Sequence, residues 1–191
     1  MIKIETYISE YLTEIENIIS KINKEDIKKF IKEIKSIKDS EGRLFILGVG
    51  GSAANASHAV NDFRKILNIE TYAVTDNVSE LTARINDESW EDSYLNWLKG
   101  SRLNKNDGIV IFSVGGGSKK TSQNLVKAMD YAKKNKSKIL SVVSRDGGHA
   151  KKVSNACIVI PPINENRTTA HAEEWQGIIL HLVVNYFTYG H

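Results

Sequence analysis

The chain has 191 residues, 41% of them hydrophobic and 26% charged, which is enough for one sizeable core and too few for two ordinary domains. The net charge of +3 comes from 26 basic and 23 acidic residues spread along the sequence, so no nucleic-acid-binding face is predicted. No signal peptide or membrane span is predicted either. The one cysteine, Cys157, lies in an apolar run, where we expect it to be a small buried hydrophobic residue. Because a single cysteine cannot form an internal disulfide, a reducing compartment fits, and we expect a cytoplasmic protein.

Two amphipathic helices open the chain, because apolar residues recur at helical spacing over residues 4–37 and the pattern breaks near Lys24. A last helix is predicted over about 168–186, after Pro161 and Pro162. Between these helices, short apolar runs alternate with helical segments, at residues 44–49, 71–74, 109–112, 139–143 and 157–160. Such runs, joined by helical crossovers, predict one α/β domain, residues 1–191, built as a three-layer α/β/α sandwich with a five-stranded parallel sheet.

Two glycine- and serine-rich loops follow predicted strands and precede predicted helices. They are residues 48–52 (GVGGS) and 113–118 (SVGGGS). Glycine amides approach a ligand closely and serine hydroxyls donate to phosphate, so we expect an anion site there, although glycines also simply make tight turns. Neither loop has a Walker lysine or a G-x-G-x-x-G pattern, so no nucleotide cofactor is predicted.

Titratable residues occur on the two helices predicted after the first loop and at the end of the chain. His58 and Asp62 are four residues apart, and we expect them in the N-terminal half of their helix near the strand ends; Glu173 and His181 are eight apart. These four side chains offer general acid–base catalysis, four ligands for a divalent metal, or both. Alternatively, His181 is a hydrogen-bonded core residue, Asp62 is solvated and Glu173 complements a helix dipole.

Taken together, these features resemble the SIS (sugar isomerase) fold, in the arrangement of the phosphoheptose isomerase family. The resemblance covers nearly the whole chain. It rests on the paired N-terminal helices, the two Gly/Ser loops, His58, residues 86–87 (ND), residues 145–148 (RDGG) after the fourth strand, and His181 on the last helix.

The resemblance implies roles for particular residues. It makes Asp62 and His181 the catalytic acid–base pair, and His58, Asp62, Glu173 and His181 the ligands of one zinc ion per site. It further implies a homotetramer that forms through residues 1–40, with sites between subunits and a sugar-phosphate-binding core over 41–191. Together with the loop glycines, it predicts these substrate-binding residues: Gly51, Ser52, Asn86, Asp87, Ser113, Gly115, Gly116, Ser118 and Glu173.

The sequence departs from the family pattern at the second loop and at the acid–base residues. Val114, Gly115 and Gly117 replace three polar residues, so more of the phosphate binding is expected from backbone amides. Asp62 is one methylene shorter than the usual Glu, and Glu173 stands where Gln is common, which adds charge that favours a divalent cation.

The predicted function is therefore isomerisation of sedoheptulose 7-phosphate to a glycero-manno-heptose 7-phosphate through an enediol, for the heptose of a surface polysaccharide such as lipopolysaccharide or capsule. Two alternatives stay open at this point. One is a non-catalytic SIS protein that binds a sugar phosphate or acts as a scaffold, like the DnaA initiator-associating type. The other is an isomerase of a different phosphosugar.

Overall fold

A five-stranded parallel sheet forms the centre of the fold. The computed structural model describes residues 3–190, so residues 1, 2 and 191 of the predicted domain lie outside the described part. The strands are β1 (Leu44–Leu47), β2 (Thr71–Ala73), β3 (Gly108–Phe112), β4 (Lys138–Val143) and β5 (Ala156–Val159). Their order is β2-β1-β3-β4-β5, and every pairing is parallel, which confirms the predicted sheet.

Between residues 3 and 190 the chain also forms eight α-helices. The break predicted near Lys24 is confirmed, because the Asn23 side chain accepts a hydrogen bond from the Glu25 amide (2.9 Å) and starts a new helix. The helices are α1 (Ile4–Lys21), α2 (Lys24–Asp39), α3 (Gly51–Lys65), α4 (Val78–Asp87), α5 (Trp90–Gly100), α6 (Gln123–Lys134), α7 (Gly148–Val153) and α8 (Thr168–Tyr189).

The helices cover both faces of the sheet, as the predicted three-layer sandwich requires. Successive residues of β1 alternate between the two sides, with Leu44 and Ile46 in one buried cluster and Phe45 and Leu47 in the other. The first cluster packs against α2, α3 and α8, and the second packs against α5, α6 and α7. Each strand is therefore apolar because both of its faces are buried.

The strand order places the glycine-rich loops together. The chain leaves β1 toward β2 on one side and β3 lies on the other, so the order reverses between β1 and β3. In open α/β sheets, ligands bind at such a switch point, outside the carboxyl ends of the strands. The two Gly/Ser loops leave β1 and β3 at this point, and the loop after β4 lies beside them.

Three predictions need correction. Asp62 lies in the last turn of α3 rather than in its N-terminal half, because α3 begins at Gly51 and about 1.5 Å of rise per residue carries Asp62 far from the strand ends. The last helix extends to Tyr189. Cys157 is partly rather than fully buried, although burial does raise the pKa of its thiol.

Of the helices between residues 3 and 190, none has the length and apolar character needed to cross a lipid bilayer.

An ionic network around the buried His171 joins α1 to the start of α8. The His171 ring, only 2% exposed, faces a carboxylate oxygen at each nitrogen, with Nε2 2.8 Å from Glu14 and Nδ1 3.1 Å from Glu174. Arg167 also pairs with Glu14 (2.8 Å), and Tyr11 donates to Glu174. Burial alone would raise the pKa of Glu14, but the hydrogen bonds from His171 and Asn164 and the charge of Arg167 lower it below its ordinary value.

Replacing Glu14 by glutamine should test this network. Because the folded-state pKa of Glu14 is lowered, its contribution to stability is present above the unfolded value of about 4.3 and is lost as the pH falls through the folded value. We expect Glu14→Gln to lower the free energy of unfolding at pH 7 by about 1–3 kcal/mol and to make that free energy less sensitive to acidification below about pH 4.5. Urea titrations over a pH series, at one protein concentration, measure both effects.

Glu16→Gln is the matched control, because Glu16 is an exposed glutamate on the same helix. A Glu14→Gln variant that is as stable as Glu16→Gln at pH 7 would show that the network contributes nothing.

Candidate active site

An open cleft of about 930 Å³ lies at the carboxyl ends of β1, β3 and β4. Its walls come from the loops that follow these three strands and from the start of α6. Four of the predicted substrate-binding residues line it, namely Ser52, Ser113, Gly115 and Ser118. The cleft is therefore where the two Gly/Ser loops were expected to hold an anion.

Hydrogen bonds within the second loop use the acceptor side of its serines. Ser113 Oγ accepts from the Gly116 amide (3.1 Å), and Ser118 Oγ accepts from the amides of Lys120 and Thr121 (3.2 Å each). Since a hydroxyl also carries one hydrogen, both serines keep a donor for a bound anion. Gly116 is not among the residues that line the cleft; its amide donates to Ser113 and its carbonyl accepts from the Ala150 amide. Its contact with substrate stays a prediction.

A buried glutamine fixes the start of α3 against α8. The Gln176 side chain, 0% exposed, donates to Ser52 Oγ (3.0 Å) and accepts from the Asn55 amide group (3.0 Å). Asn55 also donates to the Glu173 carbonyl (2.8 Å). The first loop is held from its other side by the Tyr94 hydroxyl, which donates to the Gly48 carbonyl (2.7 Å). Ser52 therefore has a fixed position at the edge of the cleft.

Further along α3 and α8, two histidines and an aspartate meet. His58 Nε2 and His181 Nε2 are 3.1 Å apart, and Asp62 Oδ2 lies 3.4 Å from the first and 3.6 Å from the second. Asp62 is buried, while both imidazoles are more than half exposed. The Asn61 amide donates to Asp62 Oδ1 (2.9 Å), which leaves Oδ2 turned to the histidines. The predicted acid–base pair of Asp62 and His181 is thus brought together at a solvent-accessible position.

The same three residues fit a metal ion. Their ligand atoms all lie within 4.8 Å of one another. A tetrahedral zinc with nitrogen and oxygen ligands at about 2.0–2.2 Å separates those ligands by about 3.3–3.6 Å. The observed separations of 3.1, 3.4 and 3.6 Å form one face of such a tetrahedron. Three protein ligands and one open position is the arrangement of a catalytic rather than a structural zinc site.

The fourth predicted ligand is elsewhere. The Glu173 carboxylate lies against Gly51 at the first turn of α3, where any side chain at position 51 would collide with it. Eight residues of helix separate Glu173 from His181, which is about 12 Å along α8. Within one chain, Glu173 is therefore not part of the histidine–aspartate group. Gly51 itself is not among the residues that line the cleft.

Asn86 and Asp87 also lie away from the cleft within one chain. They are exposed residues at the end of α4, where the Asn86 amide donates to Asp87 (2.7 Å), and neither lines the cleft. Sequence order did not reveal this position, because α4 packs beside α5 rather than over the strand ends.

Sequence reasoning missed the cationic wall of the cleft. Beside the serines, its lining includes Lys119, Lys120, Arg145, His149 and Lys152. His149 is paired with Asp130 (2.8 Å). The sequence feature that could have revealed this wall is the segment 145–148 (RDGG). It follows an apolar strand, as the two Gly/Ser loops do, and its first residue is a cation.

The cleft and the histidine–aspartate group are two parts of one site along α3. Ser52 and His58 are six residues apart, or about 9 Å along the helix. An α/β sandwich with a Gly/Ser-lined cleft at its switch point and a histidine–aspartate group two to three helical turns along α3 has the architecture of a phosphosugar-binding SIS domain.

Comparison with known proteins agrees with this class. The model of the SIS domain family matches residues 10–144. Over 164 residues, the chain is 27% identical to phosphoheptose isomerase of Helicobacter pylori, with 83% of this chain and 81% of that protein covered. It is 30% identical to a probable phosphoheptose isomerase of Thermoplasma volcanium, and the matched region covers 82% of this chain and 78% of that protein. The structure of phosphoheptose isomerase from Neisseria gonorrhoeae shares the fold, with a TM-score of 0.84 at 20% identity over 96% and 98% of the two chains.

The chain belongs to the SIS domain family. The relatives named above are phosphoheptose isomerases within that family.

Metal titration should test the histidine–aspartate group. We expect one Zn²⁺ or Co²⁺ to bind per chain, and His58→Ala to weaken binding at least about a hundredfold, because it removes one of three ligands. Isothermal titration calorimetry measures stoichiometry and affinity, and the visible spectrum of Co²⁺ reports its geometry. His149→Ala, which removes an imidazole outside the group, should bind metal like the wild type. Equal losses in the two variants would contradict the assignment.

Proposed function

We propose that the protein is an aldose–ketose isomerase that converts sedoheptulose 7-phosphate to a glycero-manno-heptose 7-phosphate. The observation that carries the proposal is the pairing of buried Asp62 with exposed His181, 3.6 Å apart, with Asp62 on α3, the helix that also contributes Ser52 to the Gly/Ser-lined cleft. The phosphoheptose isomerase names of its relatives support the same reaction.

The distance between the two parts of the site favours a long phosphosugar. If Ser52, Ser113 and Ser118 hold the phosphate, the histidine–aspartate group begins about 9 Å farther along α3, at His58, and the backbone of Asp62 lies about 15 Å farther. The Asp62 carboxylate itself lies 3.4 Å from His58 Nε2. In a 2-keto sugar phosphorylated at C7, the reacting carbons C1 and C2 are at the opposite end from the phosphate. A seven-carbon chain can therefore be anchored in the cleft and still present C1 and C2 to Asp62 and His181.

The reaction needs two proton transfers. One group removes a proton from C1 of the ketose, which gives an enediol, and returns that proton to C2. Another group moves a proton between O1 and O2. Asp62 and His181 divide this work, and the Asn61 amide donates to Oδ1 of Asp62 and orients the carboxylate. The loops bind and orient the phosphate and take no part in the proton transfers.

Zinc is the proposed cofactor, one ion per site, with His58, Asp62 and His181 as its ligands. Each ligand would give the ion one atom, so proton transfer would use the other oxygen of Asp62 and Nδ1 of His181. When bound, it would polarise the substrate carbonyl and stabilise the negative charge of the enediolate. Glu173, the predicted fourth ligand and substrate contact, would have to reach the ion from another position or another subunit. We further propose that the protein acts in the cytoplasm and supplies heptose for a surface polysaccharide.

A homotetramer is part of the proposal. On α1, Ile4, Ile8 and Leu12 are exposed at successive helical spacing, and on α8 Ile178 and Leu182 are exposed as well. Exposed apolar stripes of this kind favour association with another copy. If the site lies between subunits, Asn86, Asp87 and Glu173 of one chain would contact the substrate that is bound to a neighbouring chain.

Activity measurements on acid–base variants test the proposed reaction. Asp62→Asn and His181→Ala should each lower kcat about 10²–10⁴-fold, because each removes one proton-transfer group. NMR detects the aldose product and, in D₂O, deuterium uptake at the reacting carbons. Asp39→Asn, an exposed aspartate at the end of α2, should keep wild-type activity.

The outcomes of this experiment separate the alternatives. Absence of turnover by the zinc-loaded wild type, with sugar phosphate still bound, would instead indicate a non-catalytic binding protein. Turnover of a pentose or hexose phosphate in preference to the heptose would correct the substrate. Full activity in both acid–base variants would remove Asp62 and His181 from the mechanism.

Light scattering coupled to size exclusion tests the assembly. Leu12→Asp should shift the protein from tetramer toward smaller species, because a carboxylate would be buried in the proposed interface. Val78→Asp changes an exposed apolar residue on α4 and should leave the mass unchanged. A wild type that is monomeric at micromolar concentration would rule out the tetramer.

A further inference from the structure

The loops after β3 and β4 are locked together into one unit. Three backbone hydrogen bonds join them, from Ser144 N to Val114 O (2.9 Å), from His149 N to Gly117 O (2.9 Å) and from Ala150 N to Gly116 O (2.9 Å). The contact is so close that a side chain at Gly148, which has φ +52°, would collide with the backbone of the second loop. The loop after β4 is therefore held rigidly at the cleft.

Arg145 sits on this unit in a strained backbone conformation. Its φ is +54°, in the left-handed region, which costs a residue with a Cβ about 1 kcal/mol or more. The neighbouring turn explains how the conformation is held, since Gly147 N donates to Ser144 O (3.0 Å) and Gly148 N to the Asp146 carboxylate (3.1 Å). Five other non-glycine residues between positions 3 and 190 share this state, so it is the place of Arg145 at the cleft, and not its φ alone, that points to a function.

The Arg145 side chain points to the loop position that lacks a polar group. Its Nη1 lies 3.9 Å from where a Cβ on Gly115 would be, and both residues line the cleft. Two other arginines are paired, Arg43 with Asp107 and Arg84 with Glu80, whereas Arg102 is exposed and lies outside the cleft. By contrast, the guanidinium of Arg145 has no hydrogen-bond or ion-pair partner among residues 3–190. Its donors are therefore free within the cleft.

We propose that Arg145 binds the phosphoryl group of the substrate, in place of the hydroxyl side chain that Gly115 does not provide. A planar guanidinium with parallel N–H donors binds two phosphoryl oxygens at once, more strongly than neutral hydroxyls do. Ser113 and Ser118 also line the cleft, and each keeps a hydroxyl donor for the same anion. The identity of the anion as a phosphosugar rests on the proposed function, whereas the anion site itself does not.

The other cations of the cleft are less suited to this position. His149 is turned to Asp130, and Lys119 and Lys120 are exposed residues at the tip of the second loop. They contribute a positive potential that attracts a dianion, and Arg145 supplies the directed contact. Arg145 thus determines that the cleft selects a phosphoryl group over an uncharged sugar end.

A matched pair of asparagine substitutions tests the proposal. Arg145→Asn removes the guanidinium, and Arg102→Asn is its control, because Arg102 is also an exposed arginine at positive φ (+53°) but lies outside the cleft. Asparagine tolerates the left-handed region better than arginine does, so both variants should fold and melt about 2–4 °C higher than the wild type. Only Arg145→Asn should lose anion binding.

Calorimetry with inorganic phosphate gives a readout that does not require turnover. We expect the Kd for phosphate to rise about 10- to 100-fold in Arg145→Asn and to be unchanged in Arg102→Asn. With sedoheptulose 7-phosphate, KM should rise by a similar factor while kcat changes less than about threefold, because the contact is remote from the reacting carbons. Gly115→Ser in the Arg145→Asn background should recover part of the phosphate affinity, since position 115 has normal φ and room for a side chain.

Each outcome bears on the proposal. Wild-type phosphate affinity in Arg145→Asn, or an equal loss in Arg102→Asn, would overturn it. Loss of phosphate binding in Arg145→Asn alone, in a protein that does not turn over sedoheptulose 7-phosphate, would support the role of Arg145 and reject only the proposed substrate.

Discussion

The parallel packing of α3 against α8 is the constraint on which the site depends. Gln176 is fully buried between the helices and bonds both Ser52 and Asn55, so the start of α3 is fixed in direction and depth. The two helices run side by side in the same direction. His181, five residues beyond Gln176 on α8, therefore lies opposite His58 and Asp62 of α3. One buried amide thus sets the position of the cleft edge and the meeting of the acid–base pair. If the helices packed in another alignment, the buried Gln176 amide would lose its hydrogen bonds to Ser52 and Asn55, which would cost free energy. The hydrogen bonds therefore favour this one alignment of α3 and α8.

The two ends of this helix pair have different chemical environments. At the strand ends, glycines, serines and cations surround an open cleft whose geometry comes from backbone hydrogen bonds between loops. At the far end, a buried carboxylate faces two exposed imidazoles. In the proposed reaction, binding and proton transfer would fall to separate groups, as expected when binding energy remote from the reacting atoms is used to position them.

The outer surface of α1 suggests why one chain holds an incomplete site. The ionic network around His171 fixes α1 to the body of the protein, yet α1 leaves a stripe of apolar residues uncovered. Asn86, Asp87 and Glu173 are each displaced from the group that the family resemblance assigns them to. A second subunit packed on α1 and α8 would cover the apolar stripe, and the same packing would bring residues of one chain toward the site of another.

The sequence by itself determined the elements and the chemistry. Period-two and period-3.6 apolar patterns depend on local burial alone, so the five strands, the paired N-terminal helices and the parallel sheet were all predictable. The glycine-rich loops and the pair of Asp62 and His181 were also visible, because helical spacing puts residues on one face. Tertiary structure alone decided which faces meet. It separated Glu173 from the histidine–aspartate group and put Asp62 in the last turn of α3. It also paired the Gly116 amide within its own loop and brought Arg145 next to Gly115. These outcomes depend on how helices and loops from distant parts of the chain pack, which sequence spacing does not encode.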